Sequence, residues 1–390
     1  VAGFRLGSLA SALGRPAEAE RLLLGARAVL RGRPGAPDLD AITCDGELAA
    51  LYYRQGRLAE MEPLVLAAVA DRRRLQGEDH PSTLNDLTLL ALLRQAQGAF
   101  TEAEAAHREI VATRGRILGE EHPFTLTSRD HLALVLGVQG RHAEAEAISR
   151  AILPPFERQF GPANRDTLAL RSNLAEHLRN QGKYAEAERL FRETMAAQAG
   201  FMAAEDPFRL ETQNGLALQC LMQGRLAEAE ALTRGVLAAR RASLEADDPA
   251  LGDALAQLTL VLLAQRRFTE AEPPARETLA IRDQGPPEDW RRFVALSQWG
   301  GVLLGLGRLD GAGPPLREGW AGLKEREPRL PAVERVRLRE AAERLLAFAE
   351  TTGDADGAGR WRAEPTALGA PAAGPAPSGD PAAQIGPSPP

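Results

Sequence analysis

The sequence predicts an all-α fold, a right-handed α-solenoid of about eight to nine antiparallel helix hairpins. Three observations carry this. A glycine recurs at positions 14, 56, 98, 140, 182 and 224, Arg266 takes the next place, and Gly307 and Gly353 follow. The spacing is therefore 42 six times, then 41 and 46. A large apolar residue stands eight positions before the turn (Leu6, Leu48, Leu90, Leu132, Leu174, Leu216, Leu258, Trp299), with a small residue beside it. Five positions after the turn stand Ala19, Met61, Ala103, Ala145, Ala187, Ala229, Ala271 and Ala312. A fixed period in this range marks a repeat array whose units bury their faces on one another.

Each element follows from local chemistry. In Gln181-Gly182-Lys183-Tyr184-Ala185-Glu186-Ala187-Glu188 the glycine ends one helix, because it accepts a left-handed backbone without a Cβ clash. The next helix starts two or three residues later. Large-beside-small pairs on both helices let their backbones approach and interlock. Tyr184, Phe100, Phe268, Leu58, Leu226 and Leu309 are placed to plug the turn from its apolar side.

The links are as regular. Gly77-Glu78-Asp79-His80-Pro81-Ser82-Thr83-Leu84 matches Gly119-Glu120-Glu121-His122-Pro123-Phe124-Thr125-Leu126, and later links read Glu205-Asp206-Pro207 and Asp247-Asp248-Pro249. Proline suits the first helical position, where its missing N–H costs nothing. Asp206 and Asp248 are placed to cap the helix that follows.

These residues give a resemblance. The large-small pairs, the Gly turn and Tyr184-Ala185-Glu186-Ala187-Glu188 resemble the tetratricopeptide repeat, and the 42-residue period with its Gly-Glu-Asp-His-Pro link is similar to the longer, kinesin-light-chain type. The resemblance covers residues 1–363. It implies a protein-interaction scaffold rather than an enzyme, without metal or cofactor.

The expected first helices cover 39–55, 82–97, 124–139, 166–181, 208–223 and 250–265. The expected second helices cover 16–31, 58–75, 100–117, 142–159, 184–199, 226–244 and 268–283. Pro154-Pro155 and Pro273-Pro274 are expected to kink their helices. Gly300, Gly301, Gly305, Gly311, Gly313, Pro314 and Pro315 are expected to weaken repeat eight, with Trp299 and Trp320 filling space. Residues 331–363 read as a divergent last repeat whose charged helix, Glu334 to Glu350, caps the array. Residues 364–390, rich in Pro, Ala and Gly, read as a disordered tail.

Formal net charge is -6, which offers no electrostatic attraction for nucleic acid or an anionic membrane. No stretch reaches the roughly 20 apolar residues of a membrane span, and no signal peptide opens the chain. Of 47 basic residues only Lys183 and Lys324 are lysine, a bias that suggests a GC-rich, bacterial genome. Cys44 and Cys220, four repeats apart, are expected to be free thiols in a cytoplasmic protein. Val1 falls in repeat register, so the chain is expected to be a piece of a longer protein.

Catalytic signatures do not survive inspection. Gly305-Leu306-Gly307-Arg308-Leu309-Asp310-Gly311 has the wrong spacing for a dinucleotide fingerprint, and Gly182-Lys183 lacks the rest of a phosphate loop. No histidine pair has the His-Glu-x-x-His spacing, and neither cysteine has a zinc-ligand neighbour. His80 and His122 hold one link position in adjacent repeats and read as structural. The glutamate pairs, such as Glu144 and Glu146, suit the positive ends of their helices without acid–base chemistry.

The family resemblance places the concave groove on the first helices, at 13, 10, 9, 6, 3 and 2 residues before each turn. That selects Asn85, Thr88 and Gln95 in repeat three, Asp130 and His131 in repeat four, Asn173, Glu176, Arg179 and Asn180 in repeat five, and Asn214 in repeat six. Repeat two adds Arg54. Asparagine can donate to and accept from an extended backbone, and Arg179 could hold a carboxylate in a fork. The family's Lys/Asn/Arg carboxylate clamp is not reproduced. The expected partner is a protein or peptide held in this groove. The alternative is a C-terminal sensor or regulatory arm of a larger bacterial signalling protein, with a serine/threonine kinase or NTPase switch upstream.

Overall fold

The computed structural model describes residues 2–32 and 39–367. They form eighteen α-helices and two short 3₁₀ turns, and no strand is found among them. The chain divides into two compact units, Val1–Gly161 and Pro162–Pro390. The first unit holds four hairpins: α1 (Ala2–Ala12) with α2 (Pro16–Arg31), α3 (Leu39–Arg54) with α4 (Leu58–Gln76), α5 (Pro81–Ala96) with α6 (Phe100–Leu118), and α7 (Pro123–Val138) with α8 (His142–Phe160).

The second unit continues the pattern. Its hairpins are α9 (Arg165–Asn180) with α10 (Tyr184–Ala199), α11 (Pro207–Met222) with α12 (Leu226–Ser243), α13 (Pro249–Ala264) with α14 (Phe268–Asp283), and α15 (Trp290–Gly305) with α16 (Leu309–Glu325). The 3₁₀ turns Glu327–Arg329 and Ala332–Arg335 lead into α17 (Val336–Thr352) and α18 (Ala355–Ala367). Helix α18 runs past the expected array end at 363, and the rest of the expected tail lies outside the described residues.

Within each unit every helix packs on the next in the chain, and first helices of adjacent hairpins touch: α1 with α3, α3 with α5, α9 with α11, α13 with α15. Each unit is thus an α-solenoid in which hairpins contact their neighbours.

The turn drives the fold as the sequence indicates. The turn glycines have φ from +70° at Gly14 to +80° at Gly140, and Arg266 adopts +58° in their place. The next residue closes the helix end by a six-to-one bond, as in Arg57 N–H to the Tyr52 carbonyl at 2.9 Å. The residue five past each turn, from Ala19 to Ala312, is 0% exposed in all eight hairpins. A side chain larger than that space would push the paired helices apart.

Helix starts are capped at each link that carries a polar residue. The Asp206 carboxylate accepts from Phe208 N–H at 2.9 Å and Asp248 from Ala250 N–H at 2.7 Å. His80 and His122 do the same through Nδ1, accepting from Ser82 and Phe124 N–H at 3.2 and 3.3 Å. Their shared link position is therefore a helix cap, in which Nδ1 serves as the acceptor.

Two side-chain ladders join adjacent hairpins. The arginine just after the turn spans two glutamates: Arg57 binds Glu20 and Glu60, Arg141 binds Glu104 and Glu144, Arg225 binds Glu188 and Glu228, and Arg267 binds Glu230 and Glu270. The glutamates read from sequence as helix-start charges are also inter-repeat struts. Ala99 breaks the series, and Arg94 replaces the missing guanidinium by reaching Glu62 at 2.8 Å and Glu102 at 3.5 Å. The second ladder runs from the end of one hairpin to the start of the next: Arg72 to Asp86 at 2.6 Å, Arg114 to Ser128 at 2.6 Å, and Gln198 to Thr212 at 3.0 Å.

Helices α8 and α14 continue through their proline pairs, and Pro155 and Pro274 are buried in the packing. Helices α15 and α16 both form across the glycines of repeat eight, and two glycines lie where these helices approach closely: a Cβ at Gly319 would lie 2.7 Å from the Phe293 carbonyl oxygen, and one at Gly300 2.6 Å from Leu316 Cγ. Trp320 meets Trp361 edge-on, with ring centroids 4.9 Å apart. Cys44 and Cys220 are both free and buried. Burial pushes the Cys44 thiol up to about 11, and its Sγ donates to the Leu23 carbonyl at 3.2 Å.

Candidate groove on the first helices

The groove offsets 13, 10, 9, 6, 3 and 2 step by three or by one, and each pair of neighbours lies three and four residues from the next position, which keeps them on one stripe of a helix. In the first unit Arg54 is exposed at the end of α3 and donates to Ser11 Oγ on α1 at 2.6 Å. Asn85 is exposed on α5, and its Oδ1 accepts from Arg114 at 2.7 Å, so its acceptor is engaged within the fold. Thr88 turns its hydroxyl back to the Leu84 carbonyl at 2.7 Å, and Gln95 is half-buried. Asp130 and His131 are half-buried on α7, with the His131 ring turned against His107 on α6 at 5.6 Å.

The second unit gathers the rest. Asn173, Glu176, Arg179 and Asn180 share α9, and Asn214 lies on the neighbouring α11. Glu176 is exposed, while Asn173, Asn180 and Asn214 are half-buried. Arg179 is only 7% exposed. One of its Nη atoms donates to the Gly215 carbonyl at 3.3 Å, so the guanidinium straps α9 to α11 rather than standing open as a fork. Its Nε is buried without a hydrogen-bond partner, and so is Asn214 Oδ1. A donor and an acceptor, each lacking a partner, thus sit on adjacent first helices, where leaving them unmade costs about 1–3 kcal/mol each. Gln257 on α13 continues the row, its Nε2 donating to the Asn214 carbonyl at 3.3 Å.

Beyond Gln257 the stripe opens into a cleft of about 300 Å³. Leu218 on α11, Asp253, Ala256, Gln257 and Leu260 on α13, and Val294 and Gln298 on α15 line it. Arg282, Trp290, Arg291, Glu334 and Arg337 complete its walls. Carrying the offsets only as far as repeat six missed these residues. Asp253 and Gln257 stand thirteen and nine positions before Arg266, and Val294 and Gln298 stand likewise before Gly307, so the same count would have found them. Arg282, Trp290, Arg291, Glu334 and Arg337 lie off that register.

The described residues contain no group of three or more His, Cys, Asp or Glu placed to hold a metal ion. None of their helices is long and apolar enough to cross a membrane.

Comparison with known proteins agrees with this architecture. The family model of the tetratricopeptide repeat matches residues 40–114, 87–153, 124–200 and 208–284, more than half of the chain. No curated protein matches it. Among solved structures, the nearly identical TPR-like repeats of a chain assigned as a kinesin light chain in Podosopora anserina are 27% identical, covering 53% of this chain and 97% of that one, with a TM-score of 0.44. Rap protein complexed with Competence and Sporulation Factor is 11% identical over 94% of this chain and 96% of its own, at a TM-score of 0.69. NprR in complex with its cognate peptide NprX is 13% identical over 93% and 99%, at 0.57. The chain belongs to the tetratricopeptide repeat family.

Proposed function

We propose that this protein is a non-catalytic interaction scaffold that holds a peptide or helical segment of a protein partner against its first helices. One observation carries the reading. Arg179 Nε and Asn214 Oδ1 are a buried donor and a buried acceptor without partners on neighbouring helices α9 and α11. A peptide main chain offers the complementary pair, a carbonyl for the arginine and an N–H for the amide. A turn about the terminal torsion of Asn214, which is soft, brings its oxygen to a ligand. Asn173, Glu176 and Asn180 on α9 extend the contact, and Arg54, Asn85, Thr88, Gln95, Asp130 and His131 supply the corresponding stripe in the first unit. The NprR fold, whose structure carries its cognate peptide, is in keeping with such a use. No metal or cofactor takes part, and the setting is a bacterial cytoplasm.

The test compares partners retained by the wild-type chain with those retained by a double variant, Asn173→Ala with Arg179→Ala. Loss of specific partners from the variant is expected. Identical sets would count against the groove.

A second reading adds a regulatory role, with this array as the sensor arm of a larger signalling protein carrying a kinase or NTPase switch. It is favoured by Leu6 and Leu9 of α1, which are 54% and 55% exposed, although Leu48 in the register of Leu6 is fully buried. Such a stripe offers docking area to a further element. Sequence upstream of Val1 without kinase or NTPase motifs would remove this reading.

A further inference from the structure

One layer of the seam between hairpins three and four is built from titratable side chains. The position nine residues after one turn meets the position nine residues before the next. Between hairpins two and three these positions hold Val65 and Leu89, which share one apolar cluster. Between hairpins five and six they hold Phe191 and Gly215, where a Cβ would lie 2.8 Å from Phe191 Cε1. Between hairpins three and four they hold His107 on α6 and His131 on α7, with ring centroids 5.6 Å apart. His107 is 0% exposed. Its two ring nitrogens and His131 Nδ1 are buried without hydrogen-bond partners.

A proton on either ring would meet no compensating charge. Arg114, two turns along α6 from His107, is 5% exposed. It donates to Ser128 Oγ at 2.6 Å, Asn85 Oδ1 at 2.7 Å and the Phe124 carbonyl at 3.3 Å, all neutral acceptors. In the preceding seam the matching arginine, Arg72, has the carboxylate of Asp86. Carboxylates on the surrounding helices are engaged: Asp86 of α5 with Arg72, Glu104 of α6 with Arg141, and Glu146 of α8 with Arg150. Asp130 of α7 is also partnered. An uncompensated buried charge is expensive enough to open the packing around it.

We propose that the seam between α6 and α7 is an acid-sensitive hinge, where protonation of the histidine pair parts hairpins three and four while hairpins one and two stay packed. Asn85 and Thr88 on α5 and Asp130 and His131 on α7 lie on opposite sides of this hinge. Its opening therefore spreads the stripe of the first unit. The hinge does not depend on the peptide-binding reading above. Its pH window follows from His107, which burial, His131 and Arg114 hold down to about 4 in the closed seam, against 6.5 when exposed. The closed form is intact above the exposed value and is lost as pH falls toward the closed one. His107 alone shifts the balance toward the open form about twentyfold between pH 7 and pH 5.

Native-state hydrogen exchange of the full chain at pH 7 and pH 5, corrected for intrinsic rates, is the test. Amides of α6 and α7 are expected to lose protection about twentyfold at pH 5, while those of α3 and α4 change little. His107→Phe and His107→Val should remove the difference. They introduce the side-chain types that Phe191 and Val65 supply at the same position of other hairpins, so two independent replacements guard against one that packs poorly. His122, which caps α7, and His142, which starts α8, are unchanged in both variants, so their share of the response subtracts. Protection of α6 and α7 that is equal at the two pH values in the wild type would overturn the proposal. So would a loss spread evenly over α3 to α8, or one that persists in both variants.

Discussion

His107 on α6 and His131 on α7 lie ring to ring, with centroids 5.6 Å apart and planes tilted by 56°. His107 is 0% exposed, and both its ring nitrogens and His131 Nδ1 are buried without hydrogen-bond partners. Burial, with His131 and Arg114 nearby, holds His107 down to about 4, and burial and Arg114 lower His131 as well. Both imidazoles are therefore neutral in the folded protein near neutrality.

The sign of the pH effect follows. A base whose folded pKa is depressed binds its proton more readily when unfolded, so stability is intact above the unfolded value near 6.5 and falls as pH drops toward about 4. For His107 alone the loss between pH 7 and pH 5 is about 2 kcal/mol. Urea unfolding of the wild type should show it, and His107→Phe should flatten the profile over that range. An equally steep profile in the variant would contradict the assignment.

Arg266 is the only non-glycine residue with positive φ among those described, at +58°. A left-handed backbone costs a side-chain-bearing residue about 1–2 kcal/mol, part of which glycine returns as unfolded-chain entropy. Arg266→Gly should therefore stabilise the protein by about 1 kcal/mol, read from denaturant midpoints. A loss of stability would mean that the exposed arginine makes contacts worth more than the strain.

Gly319 and Gly25 both sit inside helices and should answer oppositely. A Cβ at Gly319 meets the Phe293 carbonyl and the Ser297 nitrogen, both at 2.7 Å, and neither backbone atom can move freely. Gly319→Ala should cost about 1–3 kcal/mol. At Gly25 nothing lies within 4 Å, so Gly25→Ala should gain about 1 kcal/mol from helix propensity. Melting temperatures shifting the same way in both variants would refute the close-approach account.

Arg225 tests the outer ladder. It binds Glu188 at 2.6 Å and also Glu228, and the first of these contacts holds the Glu188 carboxyl below its usual range. The arginine is 36% exposed, so solvent screens most of the attraction. Arg225→Ala should lose about 0.5–1 kcal/mol in low salt and less in 1 M salt. A salt-independent loss would assign the effect to packing of its methylenes instead.

Much of this architecture is legible in the chain because the turn is a local device. Glycine at a fixed phase, a small residue five positions on, and Asp before Pro each act within one or two helical turns, and each lies where its spacing put it. Contacts between hairpins were harder to see. The arginine after the turn was not singled out in the sequence, because its span to a glutamate of the previous hairpin depends on how hairpins stack. Glycines of repeat eight look like breakers in propensity terms, and only the α15–α16 approach explains them. Arg179 looked like an open fork because side-chain burial is not written in its position.

Hydrogen exchange of the full chain with a peptide recovered from the wild type tests the central claim most directly. If the partner's backbone runs along the first helices, amides of α9, α11 and α13 should exchange more slowly in the complex, while those of α10, α12 and α14 should change little. Protection confined to the second helices, or spread evenly over both sets, would contradict it.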